Sequence, residues 1–266
     1  MDNIRALVLD ELSLIEKCFD NIFSVNNGIF AELNDFLLGK SKRIRSLICL
    51  LYLKANNKII TKDIIKLLFS TELIHNASLL HDDVIDNSEY RRGIPTLYSK
   101  YGSKVSVLSG DYLLSFAVET LLELGNTEIL KKFLNSTKIM SETEIIQFNN
   151  RGRDISLDLY LKTAEGKTAS LFRACLASVS LLAALDINQA ENFALKFGTL
   201  FQVNNDMKEE SVKNDKENHL NTVVDIIGIE KTLDLKDNYK EELSNLLLNV
   251  PDNKYKTGIE DLIRLL

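Results

Sequence analysis

Tryptophan is absent from this 266-residue chain, and proline occurs only twice, at Pro95 and Pro251. Glycine totals 11. Both residues punctuate turns, so their scarcity excludes a turn-dense all-β fold and favours long helices. Cysteine is confined to Cys18, Cys49 and Cys175, far apart and without a CxxC pair. So sparse and odd a set excludes a disulfide framework and predicts a reducing compartment. A basic excess is missing too. Lys and Arg number 32 against 38 Asp and Glu, a formal net charge of -6, which gives no basis for nucleic-acid binding. No basic region followed by an apolar run opens the sequence. The most apolar stretch, Leu171 to Ile187, contains Arg173 and several small polar residues. It suits a buried core helix rather than a membrane span. The expectation is a cytoplasmic protein with no stable membrane anchor.

What the chain has is apolar periodicity. Hydrophobic residues make up 45%, ample for a sizeable core. Val8, Leu12, Ile15, Phe19 and Ile22 follow one another at four- and three-residue steps, which is one face of a helix. Similar runs recur over 41–55, 62–86, 103–124, 127–149, 165–185, 188–207 and 229–248. No alternating strand pattern of useful length, internal repeat or low-complexity linker interrupts them. The expected fold is all-α, a single-domain helical bundle over 1–266 around one core.

The informative segment is ELIHNASLLHDDVIDNSEYRRG, Glu72 to Gly93. Asp82, Asp83 and Asp86 end a long apolar pattern, and Asp82 and Asp86 stand one helical turn apart. Like charges repel at that spacing, and acids in a last turn face the negative end of the helix dipole. Each effect costs roughly 0.3–1 kcal/mol. A hard divalent cation such as Mg²⁺ reverses that balance. Three acids alone fit a solvated helix end equally well. Arg91, Arg92 and Gly93 follow directly, and basic residues beside such acids suggest an anionic ligand held from both sides, most simply a diphosphate. His75 and His81 lie on the same segment; His81 has no catalytic role on physical grounds alone.

Three further clusters are weaker. In GKSKRIR, Lys42 and Arg45 are expected to face the same way at a helix start, where a phosphate could sit; a solvated basic face fits as well. Gly166-Lys167-Thr168 resembles the tail of a phosphate-binding loop entering a helix from Ala169 onward, but the earlier glycine and strand are missing, so a nucleotide loop is rejected. Lys167 remains a single phosphate contact. Asp206 and Glu209 stand three apart at the end of another apolar run, with Asn205 as a neutral oxygen donor.

Taken in order, from about residue 39 to 228, these segments resemble the trans-isoprenyl diphosphate synthases, the polyprenyl synthetase family. LLHDDVIDNSEYRRG is similar to the first aspartate-rich motif, DDxxD, with its trailing RRG. SKRIRS resembles GKRxRP, with Ser41 and Ser46 in place of Gly and Pro. LSGDYLLSFA, around Gly110 and Asp111, resembles the helix lining the elongation cavity. TEIIQF, with Glu144 and Gln147, resembles GExxQ, with Thr143 in the Gly position. GKTASLF resembles the Lys-Thr segment. GTLFQVNNDMKE resembles GxxFQxxDDxxD, the second acidic motif.

The resemblance implies a helical bundle with a deep central cavity, usually a homodimer, that adds isopentenyl diphosphate head to tail to an allylic diphosphate such as farnesyl diphosphate. It implies two or three Mg²⁺ ions held by Asp82, Asp83, Asp86, Asp206 and Glu209. Arg91 and Lys167 are implied contacts of the allylic diphosphate, and Lys42, Arg45, His75 and Arg92 of isopentenyl diphosphate. Gln202 and Thr168 are placed near the reacting carbons. In the family, bulky aromatics just before the first motif close the pocket. Here Ala77 and Ser78 stand one turn before Asp82, and Ile74 and Thr71 continue that face, so a long, octaprenyl-like product is expected. The second motif is degraded, with Asn205 for one Asp, and Leu220 falls where a phosphate-binding Lys is usual; Lys213 or Lys216 could substitute. These departures keep a second reading open, a low-activity or non-catalytic subunit of a heteromeric synthase. A class I terpene cyclase fits less well, because it needs no second diphosphate pocket.

Overall fold

The four-and-three spacing at the N-terminus folds as helix only from Leu9 to Cys18, with Val8 before it as the N-cap and Ile22 beyond it. In the computed structural model, which describes residues 1–23, 28–39, 41–91, 93–208 and 218–266, α1 (Asp2–Ala6) and α2 (Leu9–Cys18) precede a 3-10 turn at Phe19–Asn21. Val8, Leu12, Ile15, Phe19 and Ile22 are all buried, as their stripe predicts. The helices that follow are α3 (Ile29–Leu38), α4 (Ile44–Ala55), α5 (Lys62–Ile85), α6 (Leu97–Leu122), α7 (Thr127–Asn149), α8 (Leu157–Ala164), α9 (Ser170–Leu182), α10 (Ile187–Asn205), α11 (Val223–Ile227), α12 (Ile229–Leu246) and α13 (Lys254–Leu265). The fold is all-α, as expected. Among the described residues the only strands are Tyr90–Arg91 (β1) and Ile94–Pro95 (β2). They form an antiparallel hairpin with Tyr90 opposite Pro95 and Arg91 opposite Ile94.

The chain divides into two compact units. The first comprises Val8–Leu50 and Ile60–Leu130. Its centre is α5, capped at its start by Thr61, whose side chain accepts from the Ile64 N–H. Ile64, Leu67, Leu68, Phe69, Leu73, Ile74, Ala77 and Leu80 are buried, spread around the whole circumference, so neighbours surround this helix. α6 packs along it. The Ser106 hydroxyl donates to the Leu80 carbonyl at 2.9 Å. At Gly110 the approach leaves no room for a side chain, since a Cβ there would stand 2.2 Å from Nε2 of His81. Phe69 meets Phe19 and Phe116 edge to face. α6 starts earlier than the apolar run suggests, behind the Thr96 cap, and kinks at Gly102 (φ 80°). By length and composition alone α6 is long and apolar enough to cross a membrane, which the sequence reading had not singled out; 39% of its most apolar window is buried.

The second unit comprises Met1–Leu7, Leu51–Ile59 and Lys131–Leu266. Here the structure corrects one expectation. Gly166-Lys167-Thr168 does not enter a helix at Ala169, because α8 runs without a break through a π-turn, Glu165–Ala169, into α9. The wider turn is a common signature of functional helices. α10 lies close against it; a Cβ on Gly198 would stand 2.6 Å from the Ala169 Cα. Phe172, Phe193 and Phe197 fill the space beside this contact.

Candidate active site

The aspartate-rich segment closes α5. Asp86 is the C-cap, its N–H bonded to the Asp82 carbonyl. Asn87 then takes a left-handed conformation (φ 50°), and the Ser88 and Asn87 N–H groups return to the Asp83 and Val84 carbonyls. This is a Schellman stop, with Asn in the usual glycine position. The hairpin that follows turns Arg91 back onto the helix end. Its Nε and Nη2 both donate to Oδ1 of Asp83, at 2.9 and 2.8 Å. Asp83 is buried, and its Oδ2 has no hydrogen-bond partner. Burial raises the Asp83 pKa above the ordinary carboxylate value, with Arg91 opposing. Asp82 and Asp86 are half-buried on either side.

The cationic segment of the same unit departs from its expected form. α4 begins at Ile44, so Lys42 precedes the helix and is exposed, whereas Arg45 lies inside the first turn and is buried. The two do not face the same way. Arg43, between them, is the buried cation that anchors the segment: it pairs with Glu72 on α5 at 3.4 Å. His75, half-buried, stands one turn further along α5. Thr71, Ile74 and Ala77 are buried and Ser78 half-buried. Arg92, Glu209, Lys213 and Lys216 lie outside the described residues.

In the second unit a pocket of about 50 Å³ gathers Lys167, Gln202, Asp206, Tyr160, Gln147 and Leu220. One hydrogen-bond chain runs through it. The Thr168 hydroxyl donates to Gln202 Oε1 at 2.6 Å, Gln202 Nε2 donates to Asp206 Oδ1 at 2.6 Å, and the Tyr160 hydroxyl donates to Asp206 Oδ2 at 2.6 Å. Asp206 is 4% exposed, and burial raises its pKa to about 6 despite Tyr160, Gln202 and Lys167. Lys167 is held by Glu144 at 2.5 Å and by Gln147 at 3.0 Å. Asn205 does not line the pocket, and its Oδ1 accepts from Lys208. Leu220 lines the wall as an apolar residue, and Arg153 also lines the pocket.

The donors fit a hard divalent cation. They are carboxylate oxygens, the ligands Mg²⁺ prefers, and the buried Asp83 Oδ2 lacks any other partner. Among the described residues no three such side chains are already gathered for one ion.

Residues 27–241 match the Polyprenyl synthetase family. The chain belongs to the polyprenyl synthetase family. A prenyl transferase of Cyanophora paradoxa is 36% identical over 212 residues, covering 77% of this chain and 66% of that protein. An all-trans-nonaprenyl-diphosphate synthase (geranyl-diphosphate specific) of Rhodobacter capsulatus is 35% identical over 169 residues, 62% of this chain and 52% of that protein. The chain thus spans between about half and two thirds of these relatives' lengths. In fold, the crystal structure of a decaprenyl diphosphate synthase from Rhodobacter capsulatus superposes with a TM-score of 0.88 at 20% identity, covering 99% of this chain and 97% of that one.

The structure brings Lys167, Gln202 and Asp206 together in one pocket, with Thr168 bonded to Gln202, and pairs Asp83 with Arg91. The reading from sequence missed Tyr160, Arg43 and Glu72. Tyr160 precedes Lys167 by seven residues, two turns along the same face, which is a usable signal. Glu72, an acid in mid-helix among apolar residues, is another.

Proposed function

We propose that the chain is a trans-prenyltransferase that adds isopentenyl diphosphate head to tail to an allylic diphosphate and extends it to a long polyprenyl product. The observation that carries this reading is the buried chain Thr168–Gln202–Asp206–Tyr160 beside Lys167. A carboxylate fixed by two neutral donors keeps its remaining lone pairs free for a cation. In this reading Asp82, Asp83, Asp86 and Asp206 hold Mg²⁺, with Glu209 as a further ligand. The ion, when bound, stabilises negative charge on the departing diphosphate. Lys167 and Arg91 neutralise the same diphosphate, which promotes cleavage of the allylic carbon–oxygen bond. The double bond of isopentenyl diphosphate then attacks the allylic carbon, and a proton is lost from the adduct to the released diphosphate. Lys42, Arg45, His75 and Arg92 hold the second diphosphate. The apolar faces of the helices exclude water, which would quench the allylic carbocation left by that cleavage to an alcohol. Small residues before the first acids, and the Rhodobacter nonaprenyl relative, support a long product. The exposed side chains of Val107 and Leu108 on α6 support assembly as a homodimer.

The direct test is incubation with Mg²⁺, farnesyl diphosphate and labelled isopentenyl diphosphate, followed by product sizing. Labelled long prenyl chains support the reading, and no incorporation with or without a partner subunit rejects it. A second reading has its own support. Asn205, which stands for one Asp of the second motif, is engaged by Lys208, and Leu220 presents no charge where the family usually has a phosphate-binding Lys. A low-activity subunit would incorporate label only when an active synthase subunit is added.

A further inference from the structure

Two charged side chains, Arg43 and Glu72, are almost fully buried where neither touches the acidic segments. Arg43 is 3% exposed and Glu72 1%. Arg43 also takes a left-handed backbone conformation (φ 48°), which is costly for a residue with a Cβ. Its guanidinium lies 4.5 Å over the Phe19 ring, donates to the Leu37 carbonyl at 2.5 Å, and pairs with Oε2 of Glu72 at 3.4 Å. The other carboxylate oxygen of Glu72 accepts from the Ser46 hydroxyl at 2.6 Å. Ser46 stands where the family motif ordinarily has a proline, which could make no such bond.

One carboxylate therefore fastens two residues of the cationic segment to α5. Arg43 directly follows Lys42, and Ser46 directly follows Arg45. Glu72 itself precedes His75 by three residues, so its helix face carries the third member of the proposed pocket. A buried ion pair often supports a fold no better than an apolar pair of equal volume. What this pair adds is direction, because both anchor points are hydrogen-bonded and angle-dependent. We propose that Glu72 is a positioning residue for the isopentenyl diphosphate site: through Arg43 and Ser46 it sets Lys42 and Arg45 relative to His75. This rests on the prenyltransferase reading above, and goes beyond it by naming which substrate Glu72 serves.

The experiment compares wild type, Glu72→Gln and Ser46→Ala by steady-state kinetics, varying each substrate in turn, with melting temperatures measured alongside. Glu72→Gln removes the charge that holds Arg43 but keeps an acceptor for Ser46. Ser46→Ala removes only the second anchor and is the milder change for folding. The expected result is a KM for isopentenyl diphosphate raised about tenfold in Glu72→Gln, since small misplacements of binding groups carry costs of that size or more. Ser46→Ala should show a smaller rise in the same direction, with the KM for the allylic diphosphate changed by less than about twofold in both. If Glu72→Gln does not fold, the split in Ser46→Ala decides alone. Equal rises in both KM values, or no change in either, would overturn the positioning role. A wild-type protein inert toward both substrates, alone and with a partner subunit, would instead overturn the underlying reading.

Discussion

Asp206 is where burial and chemistry pull in opposite directions. The carboxyl sits almost fully inside the protein, so desolvation favours its neutral form, while Tyr160, Gln202 and Lys167 favour the anion; burial wins and the pKa rises to about 6. A carboxyl whose folded pKa is raised contributes stability fully below its unfolded value near 3.8, and that contribution is lost as the pH climbs through about 6. In metal-free protein, Asp206→Asn should therefore flatten part of the fall in stability over that interval. Denaturant midpoints of wild type and variant, compared from pH 4 to pH 7, check this. Curves that stay parallel would show that the carboxyl is not desolvated. Added Mg²⁺ should raise the wild-type midpoint at neutral pH, because an ion that binds only the folded state stabilises it. Asp206→Asn should show a smaller rise.

At the scale of elements, the second unit depends on close approach of helices and on caps. A methyl at Gly198 meets the backbone of Ala169, which cannot turn aside as a side chain could. Gly198→Ala should cost about 1–3 kcal/mol, the usual price of overpacking, read from urea denaturation. Asn253 caps α13 twice, accepting from the Tyr255 and Lys256 N–H groups, and its amide also donates to the Ala55 carbonyl at 2.9 Å. Asn253→Ala should cost about 1–2 kcal/mol and speed hydrogen exchange at the start of α13. Long helices such as α7 were legible in the sequence because burial selects apolar residues at helical steps; the run over 127–149 coincides with it. Three features were not legible. The hairpin at Tyr90–Pro95 has two-residue strands, too short for any period to register. The π-turn hides because a glycine before Lys167 reads equally well as a loop. Lys42 was assigned to a helix start because nothing in its neighbours' types announces the left-handed turn at Arg43, which a tertiary partner on α5 sustains. The site was legible to the same extent. Its acids and cations sit in recognisable strings, whereas Tyr160 meets Asp206 across 46 residues of chain, a contact that only packing creates.

For the molecule as a whole, the length of the product tests whether a growing chain follows α5. Thr71, Ile74, Ala77 and Ser78 lie toward one side of that helix, and from Thr71 to Ala77 the rise is about 9 Å at 1.5 Å per residue. None of the four carries a ring. The aromatic cluster of Phe19, Phe69 and Phe116 begins only beyond them toward the start of the helix. A tail running back from the aspartates along this side meets small or aliphatic groups first, and a ring at position 77 would stand in its path within two turns of Asp82. Ala77→Phe should therefore stop extension early and move the dominant product to a shorter chain, by one or more isoprene units. Its first condensation should proceed at a rate close to wild type, because no residue placed at the diphosphates is altered. Reversed-phase sizing of dephosphorylated products from wild type and variant, at matched enzyme and substrate concentrations, makes the comparison. An unchanged product length in a folded, active variant would mean that the tail leaves the aspartate end of α5 by another route, and that some other set of side chains decides where synthesis stops.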